Sequence, residues 1–372
     1  MVRYVLIVFG ISRVMFALVT ILALRFLHMI PYHRPVPTFL GAWARWDATH
    51  YAWIALHGYV RGPDEVQAAF FPLQPLLVRI VMPVVGGNAD VAGMVVSNAC
   101  AIVASLGLAA LAAHDFDTAT ARRVVLYLTF FPVGLFFFAG YAESLFLALA
   151  AWCLFALRRR WWWQAAVLGM LATLTRQMGL FLALPFAYTY MAHLGWRVRA
   201  VRPNMLLVLL IPGGLLLFMG WLWHSVGDPL AFAHVESHWK HVSMPFWETL
   251  RRAVINLLHN PDPIDIRKGL IDLAAIALVA CLIVRGAFMR GEHRLPPGDL
   301  LYCGAVWLLA VSYPTTLWWL QSDARYMMAA FPCFMLLAWE GRRPWLNVLV
   351  LAAFVGALLM MTQYFVRGAV IV

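Results

Sequence analysis

The stretch FFPLQPLLVRIVMPVV, residues 70–85, decides how the chain is arranged, because it is apolar enough either to cross a membrane or to lie on its surface. The whole chain of 372 residues is 63% hydrophobic and 12% charged, with a mean hydropathy of +0.79. These values are typical of multi-spanning membrane proteins and exclude one large water-soluble core. The orientation of every later segment depends on whether residues 70–85 cross.

Eleven other segments are candidate spans, given that a transmembrane helix needs about 20 mostly apolar residues. They are residues 5–24, 91–112, 124–138, 144–157, 163–174, 179–194, 205–226, 270–284, 300–313, 324–339 and 346–365. The sequence therefore predicts an all-α polytopic membrane protein, a bundle of about eleven transmembrane helices that forms a single integral membrane domain over residues 1–372.

Charge decides against a twelfth span at residues 70–85, because short cytoplasmic loops of membrane proteins collect Lys and Arg. If this stretch does not cross, the clustered arginines share one side of the membrane: Arg3, Arg122, Arg123, Arg158, Arg159, Arg160, Arg197, Arg199, Arg202, Arg285, Arg290, Arg294, Arg342 and Arg343. The short turns on the other side hold only Arg176 and Arg325. We therefore expect a juxtamembrane helix at residues 70–85, a cytoplasmic N-terminus and two long extracytoplasmic loops, 26–90 and 227–269.

Composition also limits the classes of partner and cofactor. The net charge of +11 comes mainly from short arginine clusters between apolar runs, which membrane topology explains better than nucleic-acid binding. The five cysteines lie in apolar runs without paired or CxxC spacing, so we expect buried free thiols. The chain has no Gly-rich phosphate loop and no GxSxG motif, and no cofactor is predicted.

Five separate segments bring charged residues to the predicted outer face. Ionisable residues near membrane depth are costly, so each is a functional candidate. They are Arg45, Asp47, Glu143, Arg176, Asp323 and Arg325. Their convergence predicts a polar pocket roofed by the first long loop.

Asp47 lies in WARWDATHYAWIALHGY, residues 43–59, and has two compatible interpretations. Asp is a favoured N-cap residue, and residues 48–57 followed by Gly58 are typical of a short helix with a glycine stop. A cap carboxylate can still point into a cleft, so a catalytic role stays open. The same helix would carry an aromatic stripe suited to a membrane interface, formed by Trp46, His50, Trp53 and His57.

The other charged residues of the predicted outer face also have alternative interpretations. Arg176 and Arg325 are either boundary arginines whose head groups reach water or ligands for a phosphate or pyrophosphate. Glu143 either caps the helix that follows it or orients a substrate hydroxyl. In HVESHWKH, helical spacing would put His234, His238 and His241 on one face near Glu236, a possible divalent-metal site. The motif lacks the HExxH order, and no metal site is expected.

Six motifs in chain order resemble the PIG-V-like mannosyltransferases of the GT-C glycosyltransferase superfamily. They are RWDATHYAWIALHGY (45–59), AFFPLQPLLVRI (69–80), YAESLFLAL (141–149), LATLTRQMGL (171–180), GDPLAFAHVESHW (227–239) and DARYMMAAFP (323–332). The first two are the most specific. The resemblance implies a GT-C-type bundle whose first extracytoplasmic loop carries juxtamembrane helices and the catalytic aspartate.

The same resemblance implies an inverting glycosyltransferase. Asp47 would be the general base, the donor a polyprenyl-phosphate sugar with mannose as the expected sugar, and the acceptor a hydroxyl of a lipid or glycan. A lipid-linked donor also suits an outer face, where nucleotide sugars are not expected. The expected substrate-binding residues are Arg45, Tyr51, Glu143, Arg176, Gln177, Arg325 and Tyr326.

Three rival functions stay open at this point. A transporter or lipid flippase would normally show internal repeats and helices broken near the midplane, and no clear repeat is present. A GT-C enzyme that uses another sugar, such as arabinose or glucose, cannot be separated by sequence. A scaffold without catalysis would leave the charged outer segments unexplained. In each case we expect a multi-pass protein of the inner (plasma) membrane with lipid partners and no nucleic acid.

Overall fold

Helices form the regular structure of the described part of the chain, which a computed structural model gives as residues 1–27, 38–62, 65–291, 293–316, 319–320 and 322–369. Within these ranges there is no β-strand, only an isolated antiparallel bridge between His241 and Thr315. The all-α prediction is confirmed. The α-helices are α1 (Val2–Phe26), α2 (Phe39–Trp43), α3 (Asp47–His57), α4 (Leu73–Val81), α5 (Ala89–Asp115), α6 (Thr118–Thr129), α7 (Glu143–Arg158), α8 (Trp162–Thr173), α9 (Ala183–His193), α10 (Leu210–Val226), α11 (Ala231–His234), α12 (Phe246–His259), α13 (Pro263–Phe288), α14 (Pro297–Ser312), α15 (Asp323–Met327), α16 (Phe331–Glu340) and α17 (Pro344–Arg367).

Five helical segments of the described residues are long and apolar enough to cross a membrane. They are 24 to 27 residues long. At about 1.5 Å per residue such helices exceed the roughly 30 Å of a bilayer's hydrocarbon core. The segments are α1, α5, α13, α17 and Pro203–Val226, in which the 3₁₀ helix Pro203–Leu209 leads into α10. The protein is therefore a multi-pass membrane protein.

The remaining predicted spans correspond to shorter or broken helices. The predicted span 124–138 is wrong in its second half, because α6 ends at Thr129 and a 3₁₀ helix follows at Gly134–Phe137. Pro132 lies between them and cannot continue a helical hydrogen-bond ladder. The 3₁₀ helix Gln177–Leu182 similarly separates α8 from α9. Helices thus occupy all eleven predicted segments, but most of them are too short to span as single α-helices.

Residues 70–85 form a short amphipathic element. Helix α4 is nine residues long and continues into the 3₁₀ helix Met82–Val85. It buries Gln74 and Val78, while Ile80 and Val84 are exposed. This element is much shorter than the roughly 20 residues that a span requires. Residues 28–37 and 63–64 of the predicted first long loop lie outside the described residues.

Helix α7 connects two ends of the bundle that differ in character. Its last residue, Arg158, forms an ion pair with Asp115 at 3.0 Å and a second ion pair with Asp299. This arginine-rich end also contains the hydrogen bond from the Tyr4 hydroxyl to the Arg122 carbonyl, at 3.1 Å. Glu143, the first residue of α7, lies at the other end, called the site end below. Glu143 and the Arg158 ion pairs therefore lie at opposite ends of α7.

Close packing and one half-buried arginine hold the first part of the bundle together. A Cβ added to Gly107 of α5 would lie 2.8 Å from the Trp152 indole, so a larger residue would require this ring of α7 to shift. Arg13 of α1 donates hydrogen bonds of 2.8 Å to the Asn98 side chain and to the Phe137 carbonyl. Sequence analysis had not singled out Arg13. It links α1, α5 and the 3₁₀ helix that follows α6.

Candidate active site

Asp47 is the first residue of α3, immediately after a sharp change of backbone direction. Trp46 has a φ of +54°, which is uncommon for a residue other than glycine, and it occupies the N-cap position. The structure gives α3 no side-chain cap hydrogen bond, and Asp47 follows the N-cap position. Asp47 Oδ2 instead lies 2.7 Å from Arg325 Nη2. The capping interpretation of Asp47 is therefore not supported, and its carboxylate is an ion-pair partner.

Four charged side chains alternate in sign at the site end and form the ion-pair chain Arg176–Glu143–Arg325–Asp47. Arg325 Nε lies 2.8 Å from Glu143 Oε1, as an ionic contact without hydrogen-bond alignment, and Arg176 contacts the same oxygen. The Arg325 and Glu143 side chains are only 6% and 5% exposed. The chain holds two positive and two negative groups, so it carries no net charge.

Each residue of the ion-pair chain lies at or next to the end of a helix. Glu143 opens α7, Arg176 lies between α8 and the 3₁₀ helix that follows, and Arg325 lies in α15 after Ser322, whose φ is +66°. The Ala324 N–H donates to Asp272 Oδ1 at 2.7 Å, so a residue of α13 satisfies the first turn of α15. Asp323 is buried and does not line the cavity described next.

The ion-pair chain borders a cavity of about 380 Å³ between the two long loops. This volume lies within the range of sites that bind small molecules. Its charged lining residues are Asp47, Arg176, Glu236 and Arg325, and its aromatic lining includes Trp46, Tyr51, Phe70, Trp239 and Tyr326. The Tyr326 ring centroid is 5.5 Å from the Arg176 guanidinium and 5.7 Å from that of Arg325. The cavity thus combines two fixed cations with aromatic walls.

The structure brings most of the predicted substrate-binding residues to this cavity. Tyr51, Arg176, Gln177, Arg325 and Tyr326 line it. Two predicted residues do not. Glu143 lies behind the two arginines, and Arg45 presents its backbone carbonyl to the Tyr141 hydroxyl, at 3.2 Å, without lining the cavity.

Sequence analysis missed Glu236 and His241 as cavity residues. Burial, and secondarily the negative charge of Asp47, raise the pKa of Glu236 to about 7, while burial lowers the pKa of His241. The motif HVESHWKH was noticed, but the predicted helical face is wrong. Helix α11 ends at His234, a 3₁₀ helix covers Val235–Trp239, and Lys240 has a φ of +54°.

The histidines of this motif have separate partners. His234 Nδ1 lies 2.6 Å from Asp228 Oδ2, while His241 Nδ1 lies 3.0 Å from the Tyr313 carbonyl. Across the described residues, no group of three or more His, Cys, Asp or Glu side chains is arranged to hold a metal ion. The two long loops meet through rings instead: Trp239 lies edge-on to Phe70 with centroids 6.0 Å apart, and Phe70 stacks on His50 of its own loop at 4.5 Å.

The sequence of the chain is similar to that of known mannosyltransferases. The chain is 33% identical to GPI alpha-1,6-mannosyltransferase 2 of Rattus norvegicus over 155 residues, and 32% identical to that of Homo sapiens over 158 residues. The resemblance to PIG-V-like mannosyltransferases is confirmed. Each match covers 39% of this chain and 31% of the relative, so the chain spans about a third of the length of these PIG-V proteins. No family model matches the chain.

A solved structure gives the wider fold. The apo crystal structure of the Archaeoglobus fulgidus oligosaccharyltransferase matches with a TM-score of 0.51, covering 98% of this chain and 56% of that chain. The sequences are only 12% identical, so the likeness concerns the fold alone. The helical arrangement of this chain is therefore similar to that of the oligosaccharyltransferase.

Proposed function

We propose that the protein is a membrane glycosyltransferase that moves mannose from a polyprenyl-phosphate donor to a hydroxyl of a lipid or glycan acceptor. One observation carries this proposal: Asp47, Arg176 and Arg325 line the same cavity. A carboxylate can remove a hydroxyl proton, and two guanidinium groups suit a phosphate. The mannosyltransferase names of the relatives support the choice of sugar.

The proposed reaction is an inverting single displacement. Asp47 accepts the proton of the acceptor hydroxyl as that oxygen attacks the anomeric carbon. A new carbon–oxygen bond forms, the bond to the phosphate oxygen breaks, and the phosphate leaves with the electron pair. Arg176 and Arg325 stabilise the negative charge that develops on the phosphate. No cofactor or metal has a part in this scheme.

The other cavity residues have supporting parts. Tyr51, Gln177 and Tyr326 line the cavity, and we assign them to the sugar and phosphate oxygens. Glu143 fixes the two guanidinium groups from behind, so it acts through Arg176 and Arg325 and not by contact with the sugar. We assign Arg45 to support of Tyr141 through its carbonyl group.

The proposed membrane arrangement is a single domain over residues 1–372 with eleven spans, a cytoplasmic N-terminus and an extracytoplasmic cavity in the inner membrane. The gathering of Arg122, Arg158 and Arg285 with their partners away from the site end supports this orientation, because cytoplasmic loops collect arginine. The loops 26–90 and 227–269 then enclose the cavity on the outer face.

A transfer assay tests the function and the base together. Purified protein is incubated with radiolabelled polyprenyl-phosphate mannose and a lipid extract of host membranes, and labelled products are separated. We expect a labelled product from the wild-type protein, and a loss of about 10² to 10⁴-fold in Asp47→Asn, because the amide cannot accept the proton. The matched control is Asp90→Asn, a half-exposed aspartate outside the cavity, which should transfer normally.

Two results would count against this proposal. Normal transfer by folded Asp47→Asn protein would show that another group is the base. A wild-type protein that leaves the mannose donor unchanged, but uses the glucose or arabinose donor in a parallel reaction, would correct the sugar. Failure with every donor would refute glycosyl transfer.

A further inference from the structure

Glu236 and His241 form a second titratable pair in the cavity. Both come from the second long loop, whereas Asp47 comes from the first. Glu236 Oε2 lies 3.5 Å from His241 Nε2, and the Glu236 and His241 side chains are 25% and 19% exposed. Across the described ranges, no Lys or Arg forms an ion pair with Glu236. Glu236 therefore differs from Asp47, which has a guanidinium partner.

The hydrogen-bond partner of His241 Nδ1 determines which of the two ring nitrogens carries the hydrogen. His241 Nδ1 lies 3.0 Å from the Tyr313 carbonyl oxygen, and the two rings are stacked. A carbonyl can only accept, so Nδ1 carries the hydrogen and Nε2 faces the Glu236 carboxylate. Two proton-accepting atoms face each other in this arrangement. One proton held between them removes their repulsion, so the pair is a built site for a single proton.

Asp47 cannot keep the proton it accepts from one turnover to the next. Its Oδ2 lies 2.7 Å from Arg325 Nη2. A proton taken up by Asp47 during transfer removes the negative charge from this ion pair, so it must leave before the next turnover. The same cavity contains a carboxylate without such a partner.

We propose that the Glu236–His241 pair accepts the acceptor's proton from Asp47 and releases it to the outer solution, an inference that rests on the proposed glycosyl transfer. The proton leaves the acceptor oxygen, passes to the Asp47 carboxylate and crosses the cavity through water to Glu236. Carbon–oxygen bond formation and cleavage are already complete, so only a proton moves. The pKa of Glu236, raised to about 7, suits exchange near neutral pH.

The groups that face this pair set its titration. They are Asp47, His50 and Tyr51 from α3, Arg176, Arg325 and Tyr326 across the cavity, Tyr313 beside His241, and His238 and Lys240 in the same loop. Asp47 raises the pKa of Glu236, so Asp47→Asn should lower it. This effect gives the pair a signature that does not depend on turnover.

The kinetic test compares Glu236→Gln with the wild-type protein between pH 5.5 and 8.5. Wild-type kcat should rise as pH increases through about 7, where Glu236 loses its proton. The variant should lack this rise and show a kcat about ten- to a hundredfold lower at pH 7, with an unchanged KM for the donor. Added imidazole should restore part of the rate, because a soluble base replaces the missing one. The matched control, Glu248→Gln, changes a carboxylate of the same loop that is paired with Arg251 and Arg252 outside the cavity.

Two outcomes of this assay would overturn the proposal. One is a Glu236→Gln protein with the wild-type rate and pH profile. The other is a loss of rate that imidazole does not relieve, which would assign Glu236 a structural role only.

An infrared titration tests the pair without catalysis. The wild-type protein should show a protonated carboxyl band at pH 6 that disappears by pH 8, is absent in Glu236→Gln and titrates at lower pH in Asp47→Asn. Absence of the band in the wild-type protein would refute the proton site. A wild-type protein that shows the band but transfers no sugar would refute the proposed function instead.

Discussion

Arg325 is the residue on which the geometry of the site depends most. Its planar guanidinium contacts Asp47 through Nη2 and Glu143 through Nε, at 2.7 and 2.8 Å. The rings of Phe136, Tyr141 and Tyr326 surround the guanidinium at 5.4 to 5.7 Å. A lysine ammonium is a single point charge and cannot reproduce this two-sided contact. Arg176 is more exposed than Arg325, and it shares with Arg325 the contacts to Glu143 and to the Tyr326 ring.

This difference predicts separate kinetic effects for two conservative substitutions. Arg325→Lys should lower kcat by about ten- to a hundredfold, because Asp47 and Glu143 lose their shared partner. Arg176→Lys keeps a positive charge at the cavity wall, and should mainly raise the KM for the donor, by about threefold to tenfold. Steady-state kinetics against the polyprenyl-phosphate donor measures both constants. Equal effects of the two substitutions on kcat would contradict the separate assignments.

At the residue scale, the sequence predicted which charged residues line the cavity better than it predicted their contact partners. Asp47, Arg176 and Arg325 were expected at one face because each follows or precedes an apolar run, and all three line the cavity. Glu236 was assigned to a helical histidine face, because nothing in the local sequence signals the left-handed backbone of Lys240. The depth of Glu143 behind the arginines depends on tertiary packing, which a single sequence does not show.

At the scale of elements, α1 is more than a hydrophobic anchor. Arg13 satisfies the Asn98 side-chain oxygen and the Phe137 carbonyl, and its guanidinium lies 3.9 Å from the Phe9 ring centroid. The Phe137 carbonyl belongs to the irregular segment after α6, where helical hydrogen bonds are interrupted. Arg13 therefore supplies a hydrogen-bond partner that the broken backbone lacks.

Replacement of Arg13 should consequently destabilise the bundle. We expect Arg13→Met to cost about 1–3 kcal/mol, because it removes the donor of two part-buried acceptors, Asn98 Oδ1 and the Phe137 carbonyl. A thermal melt in detergent would record this as a lower Tm. Arg25→Met, at the exposed end of α1, removes the same charge without these contacts and is the control. An equal loss in both variants would mean that charge alone, and not the hydrogen bonds, explains the effect.

The elements that sequence predicted best are the long apolar helices. Residues 5–24, 91–112 and 346–365 each lie inside a continuous helix of the structure. The interruption near Pro132 was not foreseen, because proline and glycine are tolerated in membrane helices and apolar composition hardly changes there. The mean hydropathy of a segment indicates whether that segment is buried in lipid. It does not indicate where the helical hydrogen bonds stop.

At the scale of the whole molecule, the two ends of the bundle make the proposed orientation testable. Ser237 is exposed at the site end, and Arg159 is exposed next to Arg158 at the arginine-rich end. In a background free of native cysteines, Ser237→Cys should react with a membrane-impermeant maleimide in intact spheroplasts. Arg159→Cys should react only after permeabilisation. The reverse pattern would place the cavity in the cytoplasm and exclude the proposed topology.

The alternation of charge in Arg176–Glu143–Arg325–Asp47 has a consequence for the order of events. Asp47 Oδ2 is paired with Arg325 Nη2 at 2.7 Å, and in this ion pair the carboxylate is poorly placed to activate water. A donor phosphate bound at Arg325 competes with Asp47 for the same cation. On the proposed function, arrival of the donor thus frees the carboxylate only when a sugar is in place. The ion-pair chain then couples activation of the base to binding of the donor. Hydrolysis of the donor by water stays low as a result.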